Sequence, residues 1–538
     1  MQSERAVART PTPLAQGSRG VANAALILTS AYILSRLLGL LRQTAINAQF
    51  GAGAQTDAFW AAFALPDFLY SLLVGGALTS AFIPVFAHLG AEGRDADAWR
   101  VANTILNTAI LVLLTVAALL FALAPRLAPI VANGFAPDTQ QLTAQLTRIL
   151  AIQPIYLGAG ALAMAVLNAR KHFLLPAYAP VVYNIGIILG AVLLAPFVGI
   201  EGLAVGVTLG SLGYFLLQIP GLRHEGMPYR AELHWHLPEV REVGRLLIPR
   251  TLGLASSQIG GLITNVTLAS ALAAGSLTAL RNATQIWLLP VGIFGVAVST
   301  AAFPTLAEYA AAKDWPALEE LTRRTLRFML FVSVPSTIVL IVLRRPIVSL
   351  LLQHGRFNER DLQLTSTALL FYSLALWAHV IVELLPRVFY ALHDTVTPLL
   401  INLVVVAVNV ITSWLLMRWL ALGGLALGLS VAATVEAAIL LLVLQKRLPH
   451  LLTRAFAGEV SRVLLAALPL LAALLLYRWS TDQVHLPLNL LVQLGVVGVG
   501  AIVAATTYLT GASLLHCEDM AFVRSRAGRV LARFRRFS

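Results

Sequence analysis

Apolar runs of 20 residues or more, separated by short polar stretches, recur along most of this 538-residue chain. Four of them, within 101–125, 173–200, 251–280 and 486–516, carry no charged residue. A helix needs about 20 apolar residues to cross the hydrocarbon layer. The pattern therefore predicts an all-α polytopic membrane protein with about 14 transmembrane helices. They fall near 21–48, 58–88, 101–127, 140–169, 176–200, 202–222, 246–273, 277–308, 325–353, 361–391, 397–417, 421–445, 456–477 and 487–514.

Short strings recur in the same order. Ser80-Ala81-Phe82-Ile83-Pro84 is echoed by Ala301-Ala302-Phe303-Pro304, Asn168-Ala169 with Pro176 by Tyr390-Ala391 with Pro398, and Arg36-Leu37-Leu38-Gly39 by Arg250-Thr251-Leu252-Gly253. Their nearly constant separation predicts two six-helix lobes in the same orientation plus two C-terminal helices, an arrangement that in transporters puts the substrate site between the lobes. The expected organisation is a cytoplasmic N-terminal tail at 1–20, an N-lobe at 21–224, a cytoplasmic linker at 225–244, a C-lobe at 245–447, two extra spans at 448–516 and a basic cytoplasmic tail at 517–538.

Composition strengthens the membrane reading: 58% of residues are apolar, 12% charged, and mean hydropathy is +0.80. A soluble domain carries about 25% charged residues. The net charge of +13 points first to topology rather than to nucleic acid. With an even number of spans, both termini share a side. Connectors and tails on that side hold 27 Lys and Arg, and those on the other hold seven. The positive-inside rule then makes both termini cytoplasmic. The basic loop at 344–360 is the exception. The six arginines after Phe522 fit either an anionic leaflet or a solvated topology anchor. Cys517 is the single cysteine, so no intrachain disulfide forms.

Charges inside apolar spans cost about 2.5–3.5 kcal/mol on insertion scales and persist where a cavity or a partner receives them. Arg36 and Arg42 flank Gly39 in the first span and suit the wall of a cationic cavity, because a guanidinium offers a planar fork to diphosphate oxygens. Snorkelling or a structural pair is the alternative, with Asp57 and Asp67 as counter-charges or Asp57 as a helix cap. Arg281 and Gln285 share a helix face ahead of Pro290 and Gly292, and either face substrate or anchor an interface. Glu383 and Arg387 read as a local ion pair. Glu436, alone in an apolar helix, is the candidate for ion coupling, with a polar interhelical contact as the alternative.

No enzyme is expected. Asp95-Ala96-Asp97 lacks a catalytic domain around it, His234-Trp235-His236 falls short of a metal coordination set, and no G-x-x-x-x-G-K-[ST] phosphate loop occurs. Neither a cofactor nor a metal is called for. Active transport must then draw on an ion gradient, the membrane potential or product removal.

Several of these strings together resemble a family. Ser35 to Arg42, Phe50-Gly51-Ala52-Gly53, Thr56-Asp57-Ala58-Phe59 and Ala81-Phe82-Ile83-Pro84-Val85 are similar to the N-terminal signature of the MurJ/MviN lipid II flippases, in the multidrug/oligosaccharidyl-lipid/polysaccharide exporter superfamily. The likeness continues through Leu167-Asn168-Ala169, Pro176 to Pro180 with Asn184, Pro290 to Ala297, Phe303-Pro304, Arg387 to Ala391 and Asp394 to Pro398.

The resemblance implies two lobes around a cationic cavity, a groove by the last two spans for the lipid tail, and translocation of undecaprenyl-diphosphate-linked peptidoglycan precursor from inner to outer leaflet by alternating access. It implies a bacterial inner-membrane location and lipid II, membrane lipids and cell-wall synthesis proteins as partners. Arg36, Arg42 and Asp57 match the family's cavity residues.

Departures stand beside these matches. Pro66-Asp67-Phe68-Leu69-Tyr70-Ser71 replaces a stretch with a basic pair, Gly75-Gly76-Ala77 replaces Glu-Gly-Ala, and Gln285 stands where the family has an arginine, with Arg281 one turn earlier as its substitute. Tyr70 and Gln285 therefore join the candidate substrate-binding residues. Three other readings stay open: a flippase for another polyprenyl-linked glycan, an ion-coupled drug antiporter, and a non-transporting partner in a cell-wall complex.

Overall fold

The computed structural model describes residues 13–73, 77–483 and 489–520, with side chains at 13–29, 32, 73, 77–80, 248–250, 252–254 and 256–257 left out of account. No strand occurs among the described residues. The basic tail beyond Met520 and the Gly75-Gly76 part of the departure motif lie outside them, as does the side chain of Arg250 in the repeat.

The first helices are α1 (Pro13–Phe50), α2 (Ala54–Leu73), α3 (Ala77–Ala91), α4 (Asp95–Val131), α5 (Pro137–Leu150) and α6 (Gln153–Ala169). Next come α7 (Leu174–Leu189), α8 (Ala195–Val198), α9 (Ile200–Leu216), α10 (Ile219–His224), α11 (Pro238–Leu262), α12 (Ser276–Pro290) and α13 (Ala297–Ala311). The chain continues with α14 (Trp315–Val342), α15 (Arg344–Leu352), α16 (Glu359–Ser373), α17 (Leu376–Val382) and α18 (Leu385–Ala391). It closes with α19 (Val396–Leu420), α20 (Leu422–Arg447), α21 (Arg454–Gln483) and α22 (Leu490–Leu514).

Ten helical stretches among the described residues are long and apolar enough to cross a bilayer, and the pair joining Glu359–Ser373 to Leu376–Ala391, bent by 54°, makes an eleventh. The expected fourteen is not reached by this measure. The first helix begins at Pro13 rather than near Val21, inside the stretch expected to be a tail. Phe197 and Trp419 are 86% and 87% exposed, tolerable for such side chains where lipid replaces water.

The chain packs as two compact units. The first comprises Met1–Ile46, Leu65–Ala124 and Ala144–Leu254; the second comprises Asn47–Ala64, Pro125–Thr143 and Ala255–Ser538. This differs from a simple cut between the expected lobes, because two short segments of the N-terminal half belong to the second unit. The expected linker at 225–244 is also not free. Asn103 donates to the Pro228 carbonyl, Asn107 to the carbonyls of Arg230 and Glu232, and Trp235 to Thr108 Oγ1, so one face of α4 holds the linker within the first unit.

Glycines set the closest contact of the first unit. A Cβ on Gly206 of α9 would lie 2.4 Å from the Gly190 Cα, and one on Gly186 of α7 would lie 2.3 Å from the Gly210 Cα. Spaced four apart, these residues let two backbones touch, the way membrane helices gain dispersion energy where lipid offers no hydrophobic drive. Gly206→Leu is expected to cost about 3 kcal/mol or more through overpacking. It should remove the monodisperse peak in detergent gel filtration, while Gly498→Leu, where nothing lies within 4 Å, should not.

The second unit contains a related hairpin. Gly424 and Gly428 of α20 press on the Leu416 backbone and on Ser413 of α19. The turn residue Ala421 has φ +47°, as Gly199 before α9 has φ +69°. Gly199-Ile200-Glu201-Gly202-Leu203-Ala204-Val205-Gly206 and Ala421-Leu422-Gly423-Gly424-Leu425-Ala426-Leu427-Gly428, which share Gly-Leu-Ala-x-Gly, are thus a further copy of the internal repeat.

Helices α21 and α22 pack on α14 through Phe331, Leu470, Leu474 and Tyr508. Arg327 fastens this assembly, meeting Glu459, Glu518 and Asp519.

Candidate functional site

Within the first unit, α1 carries both arginines expected to line a cavity. Arg36 is exposed, and Arg42, nearly two turns on, is half-buried. The Arg42 Nη1 donates to Asn184 Oδ1 at 3.0 Å, and Asn184 is itself fixed by donating to the Pro180 carbonyl one turn earlier on α7. Asp67 and Tyr183 lie within electrostatic reach of the guanidinium. Asp67 thus supplies a counter-charge to Arg42. It also interacts with Tyr70, which in turn interacts with Tyr214. Gln153 donates to the Tyr183 hydroxyl at 3.1 Å.

The result is a polar patch on five helices, α1, α2, α6, α7 and α9. One cation is oriented by an amide and held near a single carboxylate, while its buried Nε has no hydrogen-bond partner. Such a guanidinium keeps donors available for a second anion, and phosphate oxygens suit its fork.

Within the second unit, the end of α1, the loop Gly51-Ala52-Gly53 and the start of α2 are tied to α12, to α16 and to the turn between α15 and α16. The buried Asp57 carboxylate accepts from Gly275 N at 2.6 Å, Thr278 N at 2.8 Å and Thr278 Oγ1 at 2.6 Å. It therefore caps α12, a helix more than 200 residues away, rather than its own, and satisfies donors that a helix N-terminus leaves orphaned. Asn47 and Asn282 exchange two hydrogen bonds of 2.9 Å. Asp361 Oδ2 accepts from Ala52 N at 3.0 Å, and Arg356 N donates to the Ala48 carbonyl at 2.8 Å. Glycines are needed at the closest points: Gly275, at φ +93°, would drive a Cβ to 2.4 Å from the Ala52 oxygen, and Gly355, at φ +59°, to 2.2 Å from that of Ala48.

The same contacts account for the basic loop at 344–360. Arg345 pairs with Glu359, Arg344 donates to the Ile341 carbonyl and Arg360 donates to that of Ala274. These cations are engaged in holding the loop.

Arg281 lies on α12 with its guanidinium 4.1 Å from the Trp60 ring centroid and 5.4 Å from that of Phe63. Stacking on an aromatic face is worth about 0.5–2 kcal/mol to a cation and fixes its plane. Gln285, one turn further on, is half-buried. Beyond Pro290 the helix widens into a π-helical turn, Val291–Val296, before α13. Glu436 of α20 is half-buried and not isolated: it interacts with Glu383 and with Tyr390, and Glu383 lies 3.9 Å from Arg387. The Asp394-to-Pro398 motif starts α19. Asp394 accepts from the Thr397 hydroxyl and from Val396 N and Thr397 N, and with the Thr397 bonds first, then Arg447, its carboxyl falls to about 2.

In the sequence Asn184 stands in a motif without a role, Asp361 reads only as an offset to the basic loop at 344–360, and Asn47 and Asn282 carry no motif. A polar residue flanking an apolar span was their only signal.

An oriented arginine in one helical unit and a capped, glycine-tight junction in the other belong to a polytopic α-helical carrier. The solved inward-facing MATE transporter of the MOP superfamily shares this fold, with a TM-score of 0.67 at 15% identity over 79% of this chain and 98% of that one. The solved lipid II flippase MurJ in an inward closed conformation superposes with a TM-score of 0.76 at 23% identity, over 91% of this chain and 99% of that one.

The family model described as lipid II flippase MurJ matches residues 46–492, and the chain belongs to that family. The lipid II flippase MurJ of Burkholderia cenocepacia is 32% identical over 447 residues, covering 79% of this chain and 84% of its own length. The probable lipid II flippase MurJ of Bdellovibrio bacteriovorus is 29% identical over 517 residues, covering 95% and 98%. The chain is accordingly a multi-pass membrane transporter and not a catalytic enzyme.

Proposed function

We propose that this chain is a lipid II flippase of the bacterial inner membrane, carrying the diphosphate-linked headgroup from the inner to the outer leaflet by alternating access while the prenyl tail stays in lipid. One observation supports this most: Arg42, oriented by Asn184 and still holding an unpartnered buried donor, has the form of a diphosphate hook in an apolar setting. Carrying a charged headgroup through hydrocarbon unaided costs many kcal/mol, and a wet cationic wall lowers that barrier.

In this reading Arg36 and Arg42 grip the diphosphate, and Tyr70, Arg281 and Gln285 line the path of the sugars and peptide. Asp57 closes the outer end, and Glu436 with Glu383 couples an ion. Fourteen spans, cytoplasmic termini and contacts with cell-wall synthesis proteins complete the proposal. The replacements at Asp67, Tyr70 and Gln285 favour one second reading, a carrier for another polyprenyl-linked glycan.

Rescue of a bacterium depleted of its own lipid II flippase tests the choice. The intact chain is expected to restore growth at ordinary membrane abundance. Failure at matched abundance, together with rescue of a strain lacking a different polyprenyl-glycan flippase, would transfer the assignment to the second reading.

A further inference from the structure

We infer that His172, His224 and Glu225 form a binding site for a zinc-class divalent cation at the end of the first unit's helices. Their ligand atoms all lie within 4.8 Å of one another. Glu225 Oε1 is 2.6 Å from His172 Nε2 and 3.7 Å from His224 Nδ1, and the two imidazole rings have centroids 5.6 Å apart. Two imidazoles and a carboxylate are a common ligand set for zinc with an open fourth position. Tetrahedral ligands at about 2.0–2.1 Å from the ion stand about 3.3 Å from each other, so small rotations of the side chains suffice.

The backbone prearranges the three groups. Lys171, at φ +63°, ends α6 in a left-handed turn, and His172 N donates back to the Leu167 carbonyl at 2.8 Å. Glu225 N donates to the Gly221 carbonyl and Gly226, at φ +71°, turns the chain after α10. Histidines are thereby presented from two helix ends 52 residues apart in sequence, beside the C-terminus of α6, where carbonyl ends favour a cation. Glu225 is 16% exposed at its side chain, whereas the histidines are 51% and 77% exposed and open to solvent. The neighbouring Arg170 is turned away, with Asp95 as its ion-pair partner and the Phe86 and Trp99 rings beneath it. His234 also meets a carboxylate, Glu232 at 3.1 Å, but among the described residues no third ligand group joins that pair.

An ion here would tie the exit of the fourth expected span to that of the sixth. The inference is independent of what the protein transports. The test uses purified full-length protein carrying a histidine-free tag, titrated with Zn²⁺ by calorimetry and with Co²⁺ by visible absorption. One ion per chain is expected. His172→Ala and His224→Ala should each weaken binding more than about tenfold, and His236→Ala should leave it unchanged. On the wild-type protein, Zn²⁺ should slow carbethoxylation of His172 and His224, read by mass spectrometry. Absence of wild-type binding, binding that survives both substitutions, or labelling indifferent to zinc would overturn the site and leave a solvated His–Glu contact.

Discussion

Arg42→Ala is expected to abolish rescue of a flippase-depleted strain while leaving the protein folded and at normal abundance. The half-buried guanidinium is positioned by a neutral amide with Asp67 within electrostatic reach, so its removal leaves Asn184 a polar partner short and takes a counter-charge from the half-buried Asp67, a smaller cost than breaking a tight, fully buried ion pair. What disappears is the anion hook. A charge-assisted hydrogen bond is worth about 1.5–3 kcal/mol. Loss of one such contact therefore weakens headgroup binding about 10–100-fold, and loss of a two-pronged grip by more.

Arg42→Lys keeps the charge and loses the fork, so it should recover only part of the activity. Asn184→Ala should lower it by a smaller factor, since the guanidinium stays but its orientation is freed. Full rescue by Arg42→Ala at matched abundance would remove Arg42 from the substrate path.

The second large effect is expected at Asp57. Its two oxygens receive different donors, Gly275 N on Oδ2 and Thr278 N with the Thr278 hydroxyl on Oδ1. Asp57→Asn cannot reproduce this, because whichever way the amide lies, its NH₂ meets an N–H donor. Each buried donor left unpaired costs about 1–3 kcal/mol. The isosteric variant should therefore behave almost like Asp57→Ala, with lost rescue and a melting temperature in detergent lowered by several degrees.

Thr278→Val, which deletes one donor and leaves both backbone bonds, should be milder. If the Asp57 junction is the outer closure of the carrier, a cysteine at Gln55 in the Asp57→Asn background should react faster with a membrane-impermeant maleimide added outside whole cells than the same cysteine in the wild-type background. Wild-type activity in Asp57→Asn would show that the cap is dispensable to the cycle.

Much of this fold is legible along the chain because the bilayer imposes a single strong rule: spanning backbone must satisfy itself, so apolar runs become helices. The order of those runs, the repeat and the signature strings around Arg36, Arg42 and Asp57 follow from local information. The junction does not. Asp57 and Gly275 are 218 positions apart, and Asn47 and Asn282 are 235 apart. Each alone reads as a polar residue near a helix end.

For the same reason the compact units cut across the expected lobes. Residues 47–64 look from hydropathy like the edge of the N-lobe, yet their polar groups find their partners in the C-terminal half. At Glu436 the sequence leaves ion coupling and a polar interhelical contact both open, and the structure shows it interacting with Glu383 at the end of α17. The Gly199 and Ala421 copies share Gly-Leu-Ala-x-Gly in sequence, and the backbone adds the positive φ of the residue that opens each helix.

The central claim is that this chain moves a diphosphate-linked lipid between leaflets with Arg42 in the path. Purified protein in liposomes containing fluorescent lipid II, with outer-leaflet label quenched over time, tests it most directly. Quenching is expected to pass the half set by the outer leaflet in vesicles holding the intact chain, and to stay within that half with Arg42→Ala. Folded, reconstituted wild-type protein that leaves the inner-leaflet pool untouched, while a characterised lipid II flippase depletes it in parallel, would contradict the account.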